Sequence, residues 1–124
     1  MKVPSFLARQ FYVSGSLRNS STGFELEAHN PMGSGTLVGI GRLSVDGRDI
    51  AKDALSAQRV GDPKELRAAD VSRQNAIHVG KGDRVTLRVV GEQLKPGDHI
   101  LEVELDEMNL GRLSFTISDR LTET

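Results

Sequence analysis

Gly33, Gly35, Gly39 and Gly41 fall close together in the stretch NPMGSGTLVGIGRLSVDG, Asn30–Gly47, and a glycine-rich loop is the first place to look for phosphate chemistry. The dinucleotide pattern fails, because after Gly33 and Gly35 its third glycine falls at Val38. A P-loop fails as well, since Gly80-Lys81 is followed by Gly82 and not by Ser or Thr, with no helix pattern behind it. Neither Ser16 nor Ser34 sits in the G-x-S-x-G frame that holds a nucleophile clear of a sheet. Strand period places Glu25, Glu27 and His29 on one face at about 7 Å spacing, a row that could touch a hard cation. Ligands along a single strand diverge, however, so a solvated sheet face is the better reading, as it is for Glu102, Glu104 and Asp106. His78 and His99 have no partner at a metal spacing. His99 follows Pro96-Gly97-Asp98, which suits a residue tying a strand to a neighbouring loop.

The elements that position these residues are strands. Phe24, Leu26 and Ala28 alternate with Glu25, Glu27 and His29; Val85, Leu87 and Val89 alternate with Thr86 and Arg88. The same period runs through Leu101–Asp106 and Leu113–Ser118. In Gln10–Ser14, Phe11 and Val13 share one face and Tyr12 lies on the other, and this segment is expected to form a hairpin with Phe24–His29. In Thr36–Val45, Gly39 and Gly41 share a face, which leaves room for a bulky neighbour or marks a bulge. Asp46-Gly47 suits a tight hairpin, Gly80–Asp83 a loop, and Pro96-Gly97 the centre of a type II turn. Asp62-Pro63-Lys64-Glu65 has the order of a helix start and predicts at most two helical turns.

The fold class that follows is all-β: one antiparallel β-sandwich domain over residues 1–124, Ig-like in general character, with at most one short helix. A chain of 124 residues without cysteine needs no disulfide framework and offers no thiolate metal site. Nothing in it reads as a secretory or membrane segment, so a soluble, cytoplasmic protein is expected. The formal net charge is −1, with basic and acidic residues interspersed, and aromatic content is 4% with no Trp. Nucleic acid is therefore not an expected partner, and a free-standing carbohydrate-binding module is disfavoured.

The segments LARQFYVSGSLRN, GFELEAHNPMGSGTLVGIGRLSVDG, LKPGDHILEVEL and GRLSFTISD together resemble the small β subunit of the bacterial C-glycoside deglycosidases. FELEAHNPMGSGTLVGIG is the specific part, and Ile50–Val79 carries no anchoring motif. The resemblance implies a non-catalytic β-sandwich paired in a hetero-oligomer with a larger, barrel-shaped catalytic α subunit. That partner would hold a divalent metal, manganese, and the acid–base residues. The complex would cleave the carbon–carbon bond between a 3-oxo-glucosyl group and an aromatic, flavonoid-type aglycone by elimination. No catalytic, cofactor or metal residue is carried over to this chain. Phe11, Tyr12, Asn30, Pro31, Met32, Gly33, Ser34 and Gly35 are the candidate partner-facing residues, on an expected exposed apolar and glycine-rich character. Met32 is the candidate anchor. The alternatives are an independent Ig-like binding module without enzymatic activity, and a small enzyme using Glu25, Glu27 and His29.

Overall fold

The computed structural model describes residues 1–122. A short helix α1 (Ser5–Ala8) precedes strands β1 (Arg18–Ser20), β2 (Gly23–His29), β3 (Gly35–Val45), β4 (Arg48–Asp49) and β5 (Leu55–Arg59). Then come β6 (Glu65–Arg67), β7 (Ile77–Val79), β8 (Arg84–Val90), β9 (Gly97–Glu107) and β10 (Gly111–Leu121). Single 3-10 turns sit at Lys52–Ala54 and Ala68–Asp70. One sheet has the order β1-β2-β8-β5-β6; the other has the order β10-β9-β3-β4, with β7 also pairing β3. Every named strand pair is antiparallel. The antiparallel β-sandwich read from the residue pattern is the observed fold.

Alternation builds the core, because a pleated strand turns every second side chain inward. Phe24 and Leu26 of β2, with Val85, Leu87 and Val89 of β8, are buried on the first sheet. Leu101 and Val103 of β9, with Leu113, Phe115 and Ile117 of β10, are buried on the second. Leu55 and Ala57 add an inner strand, β5, between β8 and β6, from the stretch without an anchoring motif.

β3 departs from simple alternation. Its pairing with β9 slips between Leu37 and Gly39 and again between Ile40 and Arg42, and each slip inverts the faces of the residues after it. Ile40 is thus buried, while Arg42, two residues on, reaches outward to Asp49 (Nε–Oδ1 2.8 Å). Across the glycines lies the pair Arg112 Nε–Asp106 Oδ1 at 2.8 Å. A Cβ at Gly39 would stand 2.6 Å from Asp106 Oδ2, and one at Gly41 would stand 2.7 Å from Arg112 Nη2. The close neighbour that these glycines admit is therefore an ion pair of the same domain, and the bulge reading holds with it.

Three expectations are corrected. Asp62–Glu65 is not helical: Asp62 Oδ1 accepts from Lys64 N (2.9 Å) in a turn, and Glu65 opens β6, which pairs back onto β5. Pro63 suits such a turn as well as a first helical turn, and strand pairing decides between them. The α-helix lies at Ser5–Ala8, where Leu7 and Ala8 N–H groups donate to the Pro4 carbonyl. Second, the hairpin partner of β2 is β1; Gln10–Ser14 adds only a single bridge, Tyr12 to Ala28. Third, Gly97 has the positive φ expected at the Pro96-Gly97 turn (123°) but already belongs to β9. Asp46-Gly47 is the tight β3–β4 turn, with φ of 52° and 82°.

His99 ties this turn to β9. Its Nδ1 donates to Asp46 Oδ2 (2.7 Å) and its Nε2 to the Lys95 carbonyl (2.7 Å). Ile100 N donates to Asp46 Oδ1 (2.8 Å), and Asp46 N donates back to the Ile100 carbonyl (2.8 Å). Two acceptors at two ring nitrogens favour the cation. Burial opposes that charge, but the Lys95 and Asp46 hydrogen bonds outweigh it and hold the His99 pKa above its ordinary value. The Ile100 N–H, followed by His99, holds the Asp46 carboxyl below its ordinary value. Linkage then has a definite sign. The His99 contribution is full below about pH 6.5, the unperturbed value, and is lost as pH rises through the raised folded value. The Asp46 contribution is present above its unfolded value and is lost only in acid. Melting curves are therefore expected to show wild type losing more stability than His99→Gln between pH 6 and 9; parallel curves would contradict the clamp.

Candidate functional site

β2 leaves the first sheet at His29 and β3 enters the second at Gly35, so Asn30–Ser34 crosses between the sheets. The turn Gly80–Asp83 crosses in the opposite direction, from β7 to β8. Asn30 joins the two crossings. Its backbone N–H donates to the Asp83 carbonyl (3.0 Å) and its carbonyl accepts from Gly82 N (2.7 Å). Its Nδ2 donates to the carbonyls of Gly33 (2.7 Å) and Val79 (2.9 Å), and its Oδ1 accepts from Met32 N (3.1 Å). An Asn in this place satisfies five groups at once, using both the donor and the acceptor of its amide.

Beside this loop the β9–β10 turn is held by Glu107. Its carboxylate accepts from Thr36 N (3.0 Å), Asn109 N (2.8 Å) and Leu110 N (2.9 Å). Burial opposes the charge, yet these N–H donors keep the Glu107 carboxyl below the usual range. Between the two loops the sandwich is open. A cavity of about 350 Å³ enters between the sheets, walled by inward residues such as Leu26, Leu87, Leu105 and Phe115. Met32 and Leu110 stand at its edge, 58% and 63% exposed.

Of the predicted partner-facing residues, Phe11, Tyr12, Asn30, Met32, Gly33, Ser34 and Gly35 all line this cavity; Pro31 lies in the same loop but does not. The structure thus brings two sequence-distant segments to one opening. Tyr12 corrects the reading of an exposed segment, because it is buried and its hydroxyl donates to Asp119. Asp119 also accepts from the N–H groups of Gly15 (3.1 Å) and Leu17 (3.2 Å), so it pins the N-terminal segment to β10. Burial, then the Asp119 hydrogen bond, pushes the Tyr12 phenol well above its ordinary pKa. Phe11 is half-buried against Phe115, with ring centroids 5.5 Å apart. The cavity and the Leu110 rim were not read from sequence. Their signal is the small inward residue Ala28 and the scarcity of aromatics available to fill the space.

The other candidates are engaged elsewhere. Arg18 pairs with Glu25 (2.7 Å) and Glu27 (2.9 Å), and Arg88 with Glu25 (3.1 Å). His29 Nδ1 donates to the Gln10 carbonyl (3.2 Å) and does not converge with the two glutamates. Arg42 meets Glu102 at 3.7 Å, and Arg112 meets Glu104 at 3.6 Å. His78 Nδ1 lies 3.3 Å from Thr36 Oγ1. Among the described residues no group of three or more His, Asp or Glu side chains is placed to hold a metal ion, and no helix is long and apolar enough to cross a membrane.

Residues 7–122 match the family model described as hydroxymethylglutaryl-CoA reductase, N-terminal domain. The chain belongs to that family. The match spans both sheets, the cavity and both rim loops, and its description differs from the deglycosidase family that the motifs resemble. No curated protein matches the chain.

The two loop residues should separate in stability measurements. Asn30→Asp removes both amide donors, sets a charge against two carbonyls, and is expected to lower urea-unfolding stability by about 1–3 kcal/mol. Met32→Asp, at an exposed position, is expected to stay within about 0.5 kcal/mol of wild type. The reverse order would show that Met32, and not Asn30, supports the loop.

Proposed function

We propose that this domain is a non-catalytic accessory subunit or domain that seats against a larger enzyme through the open end of its sandwich. The observation that carries this reading is the pair of exposed apolar side chains, Met32 and Leu110, set on firmly bonded loops around an apolar opening. Exposed apolar groups clustered on a rigid frame are the usual mark of an interaction surface. Full burial of a side chain of Met32's size contributes on the order of 1.5–3 kcal/mol, enough for a tenfold or larger change in affinity.

The finer proposal follows the sequence resemblance: the β subunit of a C-glycoside deglycosidase, with a barrel-shaped α subunit holding the divalent metal, manganese, and the acid–base groups. The α subunit would then perform the elimination that parts a 3-oxo-glucosyl group from its aromatic aglycone. The chain's own role would be to fold, to present the Asn30–Gly35 rim and to stabilise the partner. The family match favours a second reading, in which the same end seats against the remainder of a hydroxymethylglutaryl-CoA reductase. In both, the chemistry belongs to the larger part.

Reconstitution distinguishes them. The chain is purified from its native host with whatever larger protein accompanies it, and the fractions are assayed for C-glycoside cleavage and for hydroxymethylglutaryl-CoA reduction. The finer proposal expects a barrel-type partner and metal-dependent cleavage by the mixture only, with Met32→Asp weakening association at least tenfold. Reduction of hydroxymethylglutaryl-CoA would select the second reading. Recovery as a lone monomer would overturn both and leave an independent binding module.

A further inference from the structure

Well-packed sandwiches leave few voids larger than a water molecule, and the space between these sheets is far larger. At about 350 Å³ it is more than twice the roughly 150 Å³ cavity known to hold benzene, and it falls within the range of small-ligand pockets. No Lys or Arg lines it, and the one carboxylate in its lining, Glu107, already accepts from three backbone N–H groups. An anionic ligand would meet no cation there. Tyr12, the one phenol in the wall, directs its hydroxyl to Asp119. Asn30 uses its whole amide on the loop backbone. Thr36 Oγ1 lies 3.3 Å from His78 Nδ1, and the Ser34 hydroxyl and Asn109 amide can each donate as well as accept, whereas His29 offers an acceptor alone: its Nδ1 hydrogen goes to the Gln10 carbonyl, and in the neutral ring Nε2 remains an acceptor with no partner among the described residues.

We propose that the cavity binds a small, uncharged molecule of two fused rings, apolar except for one hydrogen-bond donor that His29 Nε2 accepts at the mouth. The ring system would lie against Leu26 and Leu87 of one sheet and Leu105 and Phe115 of the other, which line the space. Burial of that apolar surface drives binding, and the single polar group fixes orientation. This site does not depend on the accessory role, because the lone chain carries every residue it uses.

Indole has this chemistry, and the chain contains no Trp, so indole emission is read against almost no background. Titration of indole into the full chain is expected to give saturable one-to-one binding with raised anisotropy, and amide shifts at Leu26, Leu87, Leu105 and Phe115. 1-Methylindole, which lacks the N–H, is expected to bind up to about tenfold more weakly, a difference abolished in His29→Ala. Ala28→Leu, which fills the cavity near its mouth, is expected to reduce affinity at least tenfold; should it not fold, the amide-shift map of wild type decides alone. Failure to saturate at indole's solubility limit, shifts confined to the outer sheet faces, or unchanged affinity in folded Ala28→Leu would each overturn the proposal. The partner assay stands apart, since it uses no indole and reads association.

Discussion

The two crossings between the sheets depend on one residue. Asn30–Ser34 carries the chain from the first sheet to the second and Gly80–Asp83 carries it back, and Asn30 bonds to both. Each crossing exposes backbone groups that neither sheet can pair, and leaving such groups unpaired away from water is costly. Asn30 satisfies them and fixes the entry of β3 beside β7. The backbone at Met32 and Gly33 and the start of β3 are held by that bonding.

The two ends of the sandwich are built differently as a result. At the His99 end the imidazole, the Asp46 turn and the Ile100 backbone close the structure with short polar bonds. At the Asn30 end the Asn30 amide and the Glu107 carboxylate bond within the loops themselves, and the walls of the gap are largely apolar. The outer faces, meanwhile, are neutralised by their own partners, Arg18 with Glu25 and Glu27, and Arg112 with Asp106. Surface pairs of this kind contribute little to stability, but each sets a positive group against a negative one on the sheet face.

Much of this was legible in the residues. The period-two runs identified β2, β8, β9 and β10, the Asp46-Gly47 dipeptide its hairpin, and His99 its tethering role, because each rests on local chemistry. The faces of β3 were not legible: a bulge is set by pairing with β9, and nothing in Gly35–Val45 alone says where the register slips. The burial of Tyr12 was not legible for a related reason, since Asp119, its partner, is 107 residues away. Pro63 shows a local signal overruled by strand pairing. The candidate rim was half legible. Asn30–Gly35 stood out as an apolar, glycine-rich loop, whereas Leu110 and the cavity exist only once two distant strands are brought together.

The central claim is that the Asn30 end is the working end. Amide hydrogen exchange, measured on the chain alone and bound to the larger protein that accompanies it, tests this most directly. The account predicts slowed exchange on binding at Met32–Ser34 and at Asn109–Leu110, with Asp46–Arg48 and Asp98–Ile100 unchanged. Protection at the His99 end, with the Met32 loop exchanging as in the free chain, would contradict it.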